Sequence, residues 1–259
     1  MKLHRLFGLT LIALLILSAC GGGGGEAASS DSDGGGGDAA VESPVDAATA
    51  GTINGKISFT GTAPEPQAIL MDAEPDCDAQ YSDGAFTEEV VVNSNGTLMN
   101  VFVHVTDGLG DLVFPVPSES VLLDQQGCRY EPHVLGVQTG QDLTIRNSDG
   151  ILHNIHPMPE NNRPFNLGQP IEMDSTKSFP TSEVMIPVEC DVHDWMVGYI
   201  GVKEHPYFDV TGSDGAFSLP NLPPGTYTVE AWHELYGTQS MSVTVGESET
   251  VDIELTFAG

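Results

Sequence analysis

Basic side chains are scarce. Eight Lys and Arg stand against 37 Asp and Glu in 259 residues, a formal net charge of −29. Binding to a polyanion needs positive charge, so nucleic acid is excluded as a partner. From residue 51 onward no segment carries a convincing apolar helical stripe of twelve residues or more, which excludes a helical bundle. The one long apolar run, from Leu6 to Ala19, is too short to remain as a spanning helix. No Ser-His-Asp order, phosphate loop or convincing pair of carboxylates is present, so nothing supports an enzyme. Cysteine and histidine are few, at four and eight, so each position carries information.

The N-terminus has Lys2 and Arg5, the apolar run and then "LSAC". A charged start, a short apolar core and small residues form a secretory signal over residues 1–19. "LSAC" resembles the lipobox of bacterial and archaeal lipoproteins, which implies cleavage before Cys20 and a lipid on that thiol. Residues 20–50 are rich in Gly, Ser, Ala and Asp and read as a flexible tether. The expected location is the periplasmic or extracellular face of a membrane, with the N-terminal lipid as anchor. Without residues 1–19 the chain keeps 37 acids and 6 bases, a formal charge of −31, and six of the acids lie in the tether. The remaining acids are scattered, which suits solubility in high salt, where screening is nearly complete. At lower salt the same charge steers a basic redox partner.

From residue 51 onward short segments rich in Val, Ile, Thr and aromatics are punctuated by Gly, Pro, Asn and Asp. "LMNVFVHV", "QDLTIRN", "EVMIPVEC", "MVGYIGV", "TYTVEAW" and "TVDIELTF" are examples. In the last, Val251, Ile253, Leu255 and Phe257 fall on one face. This is the pattern of an all-β sandwich.

One loop concentrates soft ligands. "CDVHDWM" places Cys190, His193 and Met196 three residues apart, between apolar strands. "TIRNSDGILHNIHPM" offers His153 and His156 after another strand. Two imidazoles and a thiolate with a weak axial Met form a blue-copper set. "GQDLTIRNSDGILHN" followed by "CDVHDWM" resembles the cupredoxin family, and the C-x-x-H-x-x-M spacing resembles the ligand loop of amicyanin. The resemblance covers residues 117–205 and implies a Greek-key sandwich with one type 1 copper held by His153, Cys190, His193 and Met196. It also implies that Asn154 ties the two ligand segments together. His156 is the alternative to His153. In this family the second loop histidine shows one edge to a solvent-facing apolar patch. Here that edge belongs to His193, with Trp195, Pro157 and Met158 as candidate neighbours.

A second resemblance lies in "FDVTGSDGAFSLPNLPPGTYTVEAWHELYGTQSMSVTV", which is similar to the transthyretin-like sandwich of carboxypeptidase regulatory-like modules. Its usual first strands match "GTINGKIS" and "TLMNVFVHV". The expected organisation is therefore a small sandwich over residues 51–116 plus 206–259, with the copper domain at 117–205 inserted in it. The alternative is an enlarged cupredoxin ending near 205 with a partial β appendage. Cys77 and Cys128 are most simply a disulfide in an exported protein. A second metal site using Cys128 and His133 competes with that pairing. His104 and His233 sit on strands and read as structural, and His205 lies at a lobe junction. The function expected is a membrane-anchored carrier of single electrons between redox partners. Copper storage or delivery, and a cell-surface binding module related to carbohydrate, are the other readings.

Overall fold

The computed structural model describes residues 42–259; the leader, the lipobox Cys20 and residues 20–41 of the tether lie outside the described residues. Among the described residues no helix is long and apolar enough to cross a membrane.

The chain is almost entirely strand. First come β1 (Gly51–Thr60), β2 (Ala68–Ile69), the one-turn helix α1 (Pro75–Asp78), β3 (Ala85–Phe86) and β4 (Phe102–Asp107). Then come β5 (Val121–Gln126), β6 (Arg129–Glu131), β7 (Val134–Gln138), β8 (Leu143–Asn147) and β9 (His153–Pro157). They are followed by β10 (Leu167–Gln169), β11 (Met173–Lys177), β12 (Glu183–Glu189) and β13 (Val197–Lys203). Last are β14 (Phe208–Val210), β15 (Ala216–Leu222), β16 (Gly225–His233), β17 (Gly237–Val245) and β18 (Thr250–Ala258).

Period-two patterning decides which side chains are buried. On β16, Tyr227, Val229, Ala231 and His233 point inward. On β18 Leu255 and Phe257 are buried, while Val251 and Ile253 are half-buried. Two sheets make the first lobe, with strand orders β15-β1-β18 and β14-β4-β16-β17. β1 and β4 thus pair with strands that lie beyond Lys203 in the chain. Ile53, Ile57, Val103, Val105, Leu219 and Val229 fill the space between the two sheets, all fully buried. Each such side chain contributes about 1.5–3 kcal/mol. The sequence pattern starts the second strand of this lobe near Thr97, but β4 begins only at Phe102. Asn100 interrupts it with φ 62°, a left-handed conformation that Asn tolerates better than most residues.

The second lobe stacks β10-β9-β12-β13-β7 on β11-β8-β5-β6. Leu123, Val137, Leu143, Ile145, Ile155, Ile186 and Ile200 form its core. The lobes meet across a flat seam. Gly136 on β7 and Gly201 on β13 are register partners, and their bare backbones receive the stacked rings of Phe102 and Phe208. A Cβ on Gly201 would stand 2.5 Å from Phe102 Cζ, and one on Gly136 would stand 2.5 Å from Phe208 Cδ2.

A third small cluster changes the expected division of the chain. Met71, Cys77 and Ala85 pack with Cys128 of the second lobe, joined by half-buried Ile69, Tyr81, Ile151 and Trp195. The stretch from β2 to β3, grouped by sequence with the first sandwich, caps the second.

Candidate metal centre

Strand alternation sorts the histidines of β9. His153 and Ile155 face the core, both with 0 % exposure. His156 falls on the other face, where its side chain is 35 % exposed and its Nδ1 lies 3.0 Å from Asp191 Oδ1. The alternative ligand is thus turned toward an exposed carboxylate, while His153 is turned into the lobe.

The loop between β12 and β13 is closed on itself. Met196 N–H donates to His193 O at 3.0 Å, and Cys190 N–H donates to Met196 O at 3.1 Å. That turn brings Cys190 Sγ within 3.8 Å of His193 Nδ1. His153 Nδ1 reaches across from β9 to 3.0 Å from the same nitrogen. The ligand atoms of His153, Cys190 and His193 lie within 4.8 Å of one another. All three residues are buried, at 0, 3 and 1 % exposure. Met196, 1 % exposed, lies on the same turn.

The sites that hold these groups are polar and specific. Asn154 Oδ1 accepts the Asp191 N–H at 2.7 Å and so links β9 to the ligand loop. The Tyr130 hydroxyl lies 2.6 Å from Asn154 O and 2.9 Å from Glu189 O, on the two strands that carry the ligands. Burial works against ionising Cys190. Hydrogen bonds from His153, His193 and the Asn154 and Val192 backbone outweigh it and bring the thiol down to about 5, so a thiolate stands ready at neutral pH.

Asp149, in the turn "NSDG" between β8 and β9, is the organiser of this region. Asn147 shapes the turn by accepting the Asp149 N–H and donating to Ile151 O. Asp149 then accepts from the backbone N–H groups of Gly127 and Cys128 and from His153 Nε2–H, each at 2.8 Å. Burial opposes its charge, but these donors hold its pKa below the usual carboxylate value. With Nε2 held by Asp149, His153 turns Nδ1 to Cys190 and His193, where it hydrogen-bonds the thiolate and where a metal would take the place of its proton. A carboxylate behind a ligating imidazole is the usual support of a metal-bound histidine. A thiolate and two imidazole nitrogens converging in a buried site are the donor set of a soft transition-metal cation.

Two expectations are corrected here. His193 does not show an edge to solvent. Its Nε2 lies 3.9 Å from Cys77 Sγ, and the Trp195 ring covers it at 5.2 Å between centroids. The segment that seals it lies more than a hundred residues upstream, where no local pattern announces it. The competing second metal site also falls away. Cys77 and Cys128 are joined in a disulfide, and His133 bonds to Glu234 at 2.7 Å instead. Of the remaining histidines, His104 and His233 are buried, and His205 accepts the Tyr207 N–H at the foot of β14.

Comparison with known proteins matches residues 203–256 to the carboxypeptidase regulatory-like domain. No curated protein matches the chain. Among solved structures, an amicyanin variant in its Cu(I) form is similar at 22 % identity and TM-score 0.29, over 34 % of this chain and 86 % of that one. An oxidised amicyanin variant is similar at 18 % identity and TM-score 0.30, over 39 % of this chain and 91 % of that one. The copper-containing nitrite reductase of Thermus scotoductus SA-01 is similar at 18 % identity and TM-score 0.31, and the match spans a quarter of that enzyme and 39 % of this chain. The chain is an all-β protein, and its residues 203–256 match the carboxypeptidase regulatory-like domain.

Proposed function

We propose that the protein binds one copper ion at His153, Cys190 and His193, with Met196 as a weak fourth ligand, and carries single electrons outside the cytoplasm. The observation that carries this reading is the convergence of two imidazole Nδ1 atoms and a low-pKa thiolate in a buried pocket. The bound metal supplies the change between cupric and cuprous states; everything else is the work of the chain. Asp149 fixes the proton of His153 on Nε2. Asn154 and Tyr130 hold the two ligand segments at constant spacing. The packed lobe keeps water away. A site that barely moves between oxidation states lowers the reorganisation that electron transfer requires.

Burial favours this reading over copper delivery, since a carrier that hands on its metal needs an open ligand, and none of the three is more than 3 % exposed. In this reading a lipid on Cys20 and the tether would hold the carrier at a membrane surface, and the net negative charge favours a basic redox partner. The test is addition of Cu(II) to the purified protein. An intense thiolate band that bleaches reversibly with ascorbate supports an electron carrier. A weak colour that chelators remove supports delivery, and glycan affinity without any thiolate band supports a binding module.

A further inference from the structure

A cavity of about 320 Å³ lies beside the ligand loop, walled in part by Ile69, His133, Trp195, Met196, Tyr199 and Glu234. Its size is at the small end of ligand sites. Trp195 is the wall that matters. Its ring lies tilted against His193, 5.2 Å between centroids, and its Nε1–H is anchored to Cys128 O at 3.1 Å. The outward edge of His193 is closed by Cys77, so a protein partner has no direct contact with that imidazole. A small molecule in the cavity, by contrast, is separated from His193 by one indole.

The walls specify the occupant. Trp195 and Tyr199 offer aromatic faces, which favour an offset or edge-on aromatic guest. Arg129 is already paired with Glu88 at 2.7 Å, which leaves no free cation to hold an anion. His133 and Glu234 form a nearly buried pair, 12 and 11 % exposed. That pair accepts a hydroxyl hydrogen bond and has room for its proton. A neutral aromatic with hydroxyl groups satisfies all three conditions.

We propose that this cavity binds a small hydroquinone, and that Trp195 passes its electron to His193. The proposal rests on the copper reading above. In one encounter a hydroquinone O–H bond would break and leave a semiquinone: the proton would go to the Glu234 carboxylate, and the electron through Trp195 to a cupric ion held at His153, Cys190 and His193. After the electron acceptor of the proposed carrier has reoxidised that ion, a second encounter would remove the second proton and electron and leave the quinone.

The test is anaerobic calorimetric titration of hydroquinone into the metal-free full-length chain. One saturable site is expected, weakened at least tenfold by Ile69→Trp, which fills the cavity, and weakened also by Glu234→Gln, which removes the accepting charge but keeps its shape. In the copper-loaded chain, Trp195→Leu is expected to slow bleaching of the thiolate band by hydroquinone at least tenfold while ascorbate titration still reaches the same end point. A thiolate band without saturable hydroquinone binding, or with binding unchanged in both cavity variants, overturns the proposal and leaves the copper reading standing. Saturable binding in a chain that never develops a thiolate band upholds the cavity assignment, but overturns the relay through Trp195 and the copper reading with it.

Discussion

Cys77 Sγ lies 3.9 Å from His193 Nε2. A disulfide to Cys128 thus serves as the lid on a candidate metal ligand, and the segment it holds down has only a one-turn helix and two-residue strands of its own. Replacing both cysteines with alanine should cost about 2–5 kcal/mol, read as a lower urea midpoint. It should also speed electron exchange with a protein-sized donor, because the imidazole edge becomes reachable. Equal exchange rates in the two proteins would show that the lid does not control access.

Asp149 sets the tautomer of His153 through a 2.8 Å hydrogen bond. Asp149→Asn keeps the size of the side chain but loses its charge. Copper affinity should fall about 10–100-fold in competition with a chelator of known strength. An unchanged affinity would mean that His153 is oriented by packing alone.

Buried histidines make stability depend on pH. Burial pulls His104 down to about 3 and His233 down to about 4; Glu230, 3.3 Å from His104 Nε2, does not offset it. In the unfolded chain both titrate near 6.5. Below pH ~6.5 the unfolded chain therefore binds protons that the native state refuses, and stability falls with acid by about 1.4 kcal/mol per pH unit for each such histidine. His133 behaves in the opposite sense. Burial opposes its charge, but the Glu234 hydrogen bond raises its pKa. Its contribution is complete below pH ~6.5 and is lost as pH rises through the folded value. Urea midpoints between pH 4 and 6.5 should drop toward acid, and His233→Leu should shallow the slope. A flat profile would contradict a neutral, buried His233.

The seam between the lobes depends on two bare backbones. Gly201→Val puts a branched side chain where even a Cβ would stand 2.5 Å from Phe102. Overpacking of this kind costs about 1–3 kcal/mol, and a thermal melt should show it. The double variant with Phe102→Leu should recover part of the loss; no recovery would place the strain elsewhere.

Much of this was legible in the sequence, for local reasons. Alternation along β16 and β18 announces which side chains turn inward, and the three-residue spacing of Cys190, His193 and Met196 needs only one tight turn to bring them together. Asn154 was legible through the resemblance, which implies that an Asn after the first ligand histidine ties the two ligand segments together. Asp149 was not, because a turn aspartate and an organising carboxylate are spelled alike. The lid was not legible either. Residues between β2 and β3 have no periodicity, and their place is set by one disulfide and by the Tyr81 hydroxyl on Gly127 O at 2.7 Å, with the Arg129–Glu88 ion pair just past β3. An exposed edge on His193 was the natural expectation from the loop alone, since what covers it comes from far upstream.

The central claim is that His153, Cys190 and His193 hold one copper ion, and the most direct measurement is a Cu(II) titration of the purified protein followed by visible absorption. The account predicts an intense thiolate band that saturates at one equivalent, bleaches reversibly with ascorbate and is absent in Cys190→Ser. A titration that yields no such band, or a band that survives in Cys190→Ser, would contradict it.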